Sequence, residues 1–250
     1  VSLFSHPHRR LILMRHGQSA YNAANRFTGL HDPPLTDAGV AEAEAAAEVL
    51  RQSNVKVDDI FSSSLQRAIR SADVVRDKLH LHGVQAFSDP ALNERDYGQL
   101  SGLDKDQARE RWGEAKVARW RRAYAEQPPG GESLRDTTAR VLPFYLRSIL
   151  PRLMQSRTVL VVAHGNSLRA LMMVLDGLSP QAVENLEAPT GDLFVYELAP
   201  DTLVARKMIH PKAGDWIARV VAPPANESRG DFYRRALQEE EDAEEGRPVL

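Results

Sequence analysis

Short apolar runs and amphipathic stretches alternate along the chain from Leu11 onward, and they set the expected elements. The run Leu11-Ile12-Leu13-Met14 stops abruptly at Arg15-His16-Gly17-Gln18. This reads as a buried strand that delivers a cation and an imidazole to its exposed C-terminal end. After a polar loop, Thr36 is placed to cap a helix reaching about Gln52, with Val40, Ala43, Ala47 and Leu50 on one face. Asp59-Ile60-Phe61-Ser62 reads as a second strand, and Ser64 as the cap of a helix striped by Leu65, Ala68, Ile69, Ala72, Val75 and Leu79. A third strand is expected over Val84 to Ser88. The charged region 104–126 is helical in character and is broken by Pro128-Pro129-Gly130-Gly131. Another helix is expected from near Glu132 past Pro143, with a kink at the proline. A second buried-looking run, Thr158-Val159-Leu160-Val161-Val162-Ala163, ends in His164-Gly165 and leads into a helix from about Asn166 to Leu175. Strands near 193–198 and 202–209 close the body.

This alternation predicts an α/β domain, a three-layer α/β/α sandwich with a mostly parallel central sheet. In such sheets ligands bind beyond the carboxyl ends of strands, where both His-Gly pairs fall. Two strands ending in the same dipeptide are expected to be parallel neighbours that place two imidazoles at one mouth. The organisation reads as an N-terminal extension over 1–9, one domain over 10–220 and a polar, acidic tail over 221–250. No internal repeat interrupts it. Within the tail, Phe232, Tyr233 and Leu237 could dock as a short helix.

Composition narrows the class. A chain of 250 residues can bury a full core. The formal charge of −2 argues against a general nucleic-acid binder, yet six acids between 239 and 245 leave the rest of the chain at +4. The absence of cysteine excludes disulfides, thiol nucleophiles and thiolate metal sites. Arg9-Arg10 is followed by only four apolar residues before Arg15, and the longest apolar stretch is Ala170 to Leu175. Neither a signal peptide nor a membrane span is expected, and the location is read as cytoplasmic.

The loop from Arg15 through Gln18, Ser19, Tyr21 and Asn22 to Asn25-Arg26-Phe27-Thr28-Gly29 is dense in hydrogen-bond donors, as a polyanion site requires. Arg67 and Arg70 fall in the first turns of a helix, where a cation opposes the macrodipole unless an anion lies nearby. Leu92-Asn93-Glu94-Arg95-Asp96-Tyr97-Gly98 offers Glu94 or Asp96 as a proton carrier, and composition does not choose between them. Arg119, Arg121 and Arg122 flank Trp120, with Lys105 upstream, as a solvated face or a basic lid. His6-Pro7-His8 and His80-Leu81-His82 have chelating spacing without a third ligand nearby, so no metal is expected.

Arg15-His16-Gly17 with His164-Gly165 resembles the histidine phosphatase superfamily. Further strings, in the family's order, resemble its cofactor-dependent phosphoglycerate mutases: Asn25 to Gly29, Leu92 to Gly98, Gly102-Leu103-Asp104-Lys105, Trp120-Arg121-Arg122 and His164 to Leu171. The resemblance covers most of residues 10–210. It implies a phosphoglycerate mutase-like fold and interconversion of 3- and 2-phosphoglycerate in glycolysis and gluconeogenesis. The implied route is a phosphohistidine primed by 2,3-bisphosphoglycerate, without metal. By motif position it makes His16 the nucleophile and Glu94 the general acid/base. Arg15, Asn22, Arg67 and His164 would surround the moving phosphoryl group. Gly17, Gln18, Ser19, Thr28, Gly29, Arg95, Tyr97, Lys105, Arg121, Arg122, Gly165 and Asn166 would complete substrate binding.

The chain departs from that pattern in places. The stretch from Arg122 to Glu132 is shorter than in longer members, and it borders the family's subunit surface, so homodimer and homotetramer both stay open. Asp192-Leu193 follows Thr190-Gly191 where many members have an apolar residue and proline. A phosphatase of the same superfamily and a bisphosphoglycerate synthase are the enzymatic rivals. An inactive phospholigand-binding module would be expected to lack His16, Glu94 or His164, and all three are present.

Overall fold

The computed structural model describes residues 9–212 and 214–220. Strands β1 (Arg10–Arg15), β2 (Asp59–Ser62) and β4 (Thr158–Ala163) are buried almost throughout. Continuous apolar runs of this kind suit strands covered on both faces. With β3 (Ala86–Ser88), β5 (Leu193–Leu198), β6 (Val204–His210) and β7 (Ile217–Val220) they form one sheet in the order β3-β2-β4-β1-β5-β6-β7. The β3, β2, β4 and β1 strands are mutually parallel, while β5, β6 and β7 pair antiparallel in turn. Since β6 again runs with β1, five of the seven strands share one direction. The β1–β4 register pairs Arg15 with Ala163, so the two His-Gly dipeptides emerge side by side.

Alternation along the strands builds two cores. Leu11, Leu13, Phe61, Val159 and Val161 face α6 (Leu134–Phe144), α7 (Leu150–Met154) and α8 (Gly165–Leu175) through Val141, Leu153, Leu168 and Leu171. Ile12, Met14, Ile60, Leu160 and Val162 face α2 (Asp37–Gln52) and α3 (Gln66–Lys78) through Ala43, Ala47, Leu50, Ala68, Ala72 and Val75. The period of two in a strand sends odd and even residues to opposite helical layers, which makes three layers. A third, smaller cluster joins Phe27 to Leu100, Ala108, Val117 and Trp120. It seats the helices α4 (Lys105–Trp112) and α5 (Glu114–Arg122) over the loop that follows β1; α1 (Ala20–Ala23) lies within that loop.

Several local expectations change. Ser64 does not cap α3: its N–H and hydroxyl both donate to Asn93 Oδ1, and the N-cap is Leu65, without a side-chain bond. The third strand shortens to Ala86–Ser88 at the sheet edge. Region 104–126 is two helices, because Gly113 adopts φ +83, a left-handed value that ends α4. The helix expected from Glu132 starts at Leu134, where Ser133 and Asp136 form a capping box. Pro143 lies inside α6, and the chain widens into π-type turns over Tyr145–Ile149 just beyond it. Proline has no N–H for the regular ladder. The expectations for His6-Pro7-His8 and for the acidic tail, with Phe232, Tyr233 and Leu237, lie outside the described residues. No helix among the described residues is long and apolar enough to cross a membrane.

Candidate active site

Three strand ends build the floor of the site. His16 extends the ladder beyond β1 by donating its N–H to Ala163 O at 3.0 Å, and Ser63 does so beyond β2 toward Val162 O at 3.2 Å. His164 caps α8 beyond β4. The His16 and His164 rings lie with centroids 4.8 Å apart. His16 Nδ1 is 2.6 Å from Gly17 O; a carbonyl only accepts, so Nδ1 carries the proton and Nε2 keeps its lone pair. Burial, with the Arg15 and Arg67 guanidiniums beside it, holds the His16 pKa well below the usual histidine value. The imidazole is therefore neutral and nucleophilic at neutral pH.

The loop that carries His16 is braced from below. Gly17 N–H donates to Ser71 Oγ at 3.1 Å, and Ser71 Oγ donates to Arg67 O at 2.8 Å. A Cβ on Gly17 would stand 2.0 Å from Gly39 O, so only glycine lets the loop approach α2 this closely. Gln18 N–H donates to Glu42, and Thr36 donates to the Gln18 side chain. Ser19 caps α1 and binds Asn22 Oδ1, which leaves the Asn22 amide NH2 as the free donor. Gly17, Gln18 and Ser19 thus support the site and are not brought to the cavity wall.

His164 has its own orienting partner, which sequence reasoning missed. Ser63 Oγ lies 2.6 Å from His164 Nε2 and accepts the Leu65 N–H at 3.2 Å. A hydroxyl carries one proton and two lone pairs, so this contact forms in either His164 tautomer, whichever ring nitrogen, Nδ1 or Nε2, holds the proton. No group among the described residues pairs with that Nδ1. Burial and the Arg67 charge hold the His164 pKa well below the usual value. His164 is fully buried beside His16 and does not itself line the cavity.

Above these residues lies a cavity of about 110 Å³. Its wall holds Arg15, His16, Asn22, Thr28, Gly29, Arg67, Glu94, Tyr97, Lys105, Arg121, Arg122, Gly165 and Asn166, all named by the sequence reading. Arg26 and Phe27, read from sequence only as part of the donor-rich loop, line it too, and so do Arg169, Glu187 and Ala188, which were given no site role. Seven lining residues are cationic against two carboxylates, a formal excess of five positive charges. Arg67 is 1 % exposed, donates to His31 O and Gly29 O, and is lowered by burial to a pKa of about 10. Arg15 donates to Ala188 O at 2.9 Å and lies against Gly165. The Nε atoms of Arg15, Arg67 and Arg169 are buried without a partner, which an anionic ligand in the cavity can answer.

Geometry separates the two carboxylates that composition left open. Glu94 is buried in the cavity wall, and its Oε1 accepts from Arg95 N–H at 2.8 Å and Asn166 N–H at 3.2 Å. That leaves Oε2 to carry a proton. Asp96 Oδ1 is instead spent on Gly98 N–H in a turn. Arg95 lies outside the wall: its guanidinium stacks 4.6 Å from the Tyr97 ring centroid and donates to Arg121 O. Arg169, in the same string as His164, pins the end of α5 through the Arg121 and Arg122 carbonyls and also donates to Val183 O and Asn166 Oδ1. A cation on a helix otherwise apolar was its one signal. Arg119 pairs with Glu126 on the surface, and Arg70 is exposed. His80 and His82 lie 6.4 Å apart by ring centroid, and among the described residues no three His, Asp or Glu side chains gather as a metal site would need.

A buried neutral imidazole beside a second imidazole, with arginine guanidiniums around it, is an arrangement suited to phosphoryl transfer through histidine. The family profile of the histidine phosphatase superfamily (branch 1) matches residues 11–211, and the chain belongs to that superfamily. Within it, the chain stands with the 2,3-bisphosphoglycerate-dependent phosphoglycerate mutases. It is 53 % identical to the protein so named from Methylobacterium sp. (strain 4-46) over 204 residues, covering 82 % of this chain and 98 % of that one. It is 52 % identical to the one from Brucella canis (strain ATCC 23365 / NCTC 10854 / RM-666) over 201 residues, covering 80 % and 98 %. Among solved structures it is similar to a mycobacterial glucosyl-3-phosphoglycerate phosphatase complexed with VO3, at 29 % identity and a TM-score of 0.68, covering 85 % of this chain and 98 % of that one.

Proposed function

We propose that this chain interconverts 3-phosphoglycerate and 2-phosphoglycerate in the cytoplasm, through a phosphohistidine on His16. The observation that carries the reading is the neutral His16, its Nε2 lone pair free, at the floor of a small cavity with seven cationic wall residues. A compact polyanion fits this donor set, and 2,3-bisphosphoglycerate would supply the priming phosphoryl group. Lys105, Arg121 and Arg122 would hold its carboxylate and distal phosphate, with Thr28, Gly29, Tyr97, Gly165 and Asn166.

His16 Nε2 attacks phosphorus, the bond from phosphorus to the substrate oxygen breaks, and a nitrogen–phosphorus bond forms. Glu94 Oε2 gives its proton to the departing oxygen, and in the return transfer takes the proton from the hydroxyl that is phosphorylated. Arg15, Arg67 and Asn22 donate to the equatorial phosphoryl oxygens, where negative charge spreads in the transition state, and His164 packs behind His16 as its neighbour. The ordering of Arg121 and Arg122 by Arg169 favours retention of a free polyanion between the two transfers. Hydrolysis of the phosphohistidine is the second reading, favoured by the likeness to the mycobacterial phosphatase.

Turnover of 3-phosphoglycerate with and without added 2,3-bisphosphoglycerate tests the reading. Mutase activity stimulated by the bisphosphate, with an acid-labile phosphoryl group on the His16 peptide, is expected. Phosphate release without 2-phosphoglycerate, or an equally phosphorylated His16→Ala variant, would refute it.

A further inference from the structure

We propose that Glu187 is a built-in competitor for Arg122 and sets how tightly the cavity holds its anions. The proposal rests on the mutase reading only for which anion is used. Two carboxylates line a cavity whose wall is otherwise strongly cationic. Glu94 carries the transferred proton, whereas Glu187 has no part in the chemistry. Its place is fixed from both sides. Ala188 is buried and its carbonyl accepts from Arg15, while the Leu186 carbonyl accepts from Arg122 Nη1 at 3.4 Å. Leu186 N–H in turn donates to Val183 O, the carbonyl that also accepts from Arg169 at 2.7 Å. A segment tied to three site arginines keeps the Glu187 carboxylate at the rim.

There Glu187 Oε1 accepts from Arg122 Nη2. Each terminal nitrogen of Arg122 thus has one of its two N–H groups engaged before an anion arrives. A substrate carboxylate or phosphate at Nη2 shares that nitrogen with Glu187 or displaces it, and sits beside a like charge either way. The exchange is feasible because the pair is open to water: the Glu187 side chain is 62 % exposed and that of Arg122 33 %. An exposed pair is weak, and the released carboxylate can turn outward into solvent. Competition for Arg122 and the like charge that remains near the ligand, screened by water and salt, together lower anion affinity by roughly three- to tenfold.

The test uses the full chain with Glu187→Gln, which removes the charge and keeps an oxygen for Arg122. Binding of 3-phosphoglycerate by calorimetry and KM in turnover are measured for wild type and variant. A three- to tenfold fall in Kd and KM is expected, shrinking in an Arg122→Ala background. An unchanged or raised Kd in Glu187→Gln would overturn the proposal, since a carboxylate that merely steadied Arg122 for the substrate gives that opposite sign. A gain of full size without Arg122 would also overturn it. Inorganic pyrophosphate, a compact polyanion independent of the mutase reading, is titrated in parallel. Absent turnover of 3-phosphoglycerate would sink that reading, while the pyrophosphate shift would still decide the role of Glu187.

Discussion

Replacing Arg169 by methionine tests how far a buried cation holds the end of the basic helix α5 over the site, beside Arg95 and the apolar cluster under that helix. Arg169 is 4 % exposed and its pKa is lowered by burial to about 10, so it stays charged at neutral pH. Its guanidinium donates to Asn166 Oδ1 at 2.9 Å, Arg122 O at 3.1 Å and Val183 O at 2.7 Å. Each bond from a charged donor contributes about 1.5–3 kcal/mol, and the cost of burying the guanidinium offsets part of the sum. Methionine matches much of the stem but removes the donor from Asn166 Oδ1 and from the Arg121, Arg122 and Val183 carbonyls, of which Arg121 O keeps Arg95 and Val183 O keeps the Leu186 N–H, so a net loss of about 3 kcal/mol is expected. In a domain of this size each kcal/mol moves Tm by about 2–4 °C, which gives a fall of about 6–12 °C. Function should suffer in a particular way. With the ends of Arg121 and Arg122 released, KM for 3-phosphoglycerate should rise about tenfold, equivalent to about 1.4 kcal/mol of binding. Phosphorylation of His16 by 2,3-bisphosphoglycerate should survive at saturating donor, because Arg15, Arg67 and His164 are untouched. Thermal melts, steady-state kinetics and phosphohistidine stoichiometry measure the three quantities. A Tm within about 2 °C of wild type together with an unchanged KM would refute the pinning role.

Other perturbations follow from the same geometry. Gly17→Ala sets a Cβ against Gly39 O at 2.0 Å, so the His16 loop must shift and kcat should drop about a hundredfold; retention within about threefold would contradict the bracing argument. Ser63→Ala should lower kcat about tenfold with little change in KM, and Ser63→Thr should restore it. Nitrogen-15 spectra should show the His164 ring resonances displaced in Ser63→Ala relative to wild type, and unchanged resonances would be fatal to the orienting role. Both His16 and His164 are held neutral with pKa values below the usual histidine range. Unfolded imidazoles take up protons below about pH 6.5, so the unfolded state binds more protons there. Stability should be level above about pH 7 and fall as pH drops through about 6.5. Denaturant melts across that window should show a shallower fall for His164→Asn, and identical slopes would count against the burial argument.

The sequence by itself determined most elements, because each rests on a local pattern. Thr36 and the stripe through Ala43, Ala47 and Leu50 define α2, and the run Thr158 to Ala163 defines β4 to the residue. Both His-Gly pairs were legible for the same reason: an apolar run that ends in polar residues marks a strand terminus wherever the chain goes. The family strings, each local, carried most of the cavity wall. Tertiary structure decided what local pattern cannot encode. Glu94 and Asp96 are alike in composition, and only the contacts of Asp96 with Gly98 and of Glu94 with Asn166 part them. Ser63 reaches His164 across 101 residues, and Glu187 reaches Arg122 across 65. Gln18 and Ser19 look like ligand donors beside His16, yet their polar groups are taken up by Thr36, Glu42 and Asn22. A hydrogen-bonding side chain can serve a ligand or the fold, and which it serves depends on what the folded chain brings within about 3 Å of it.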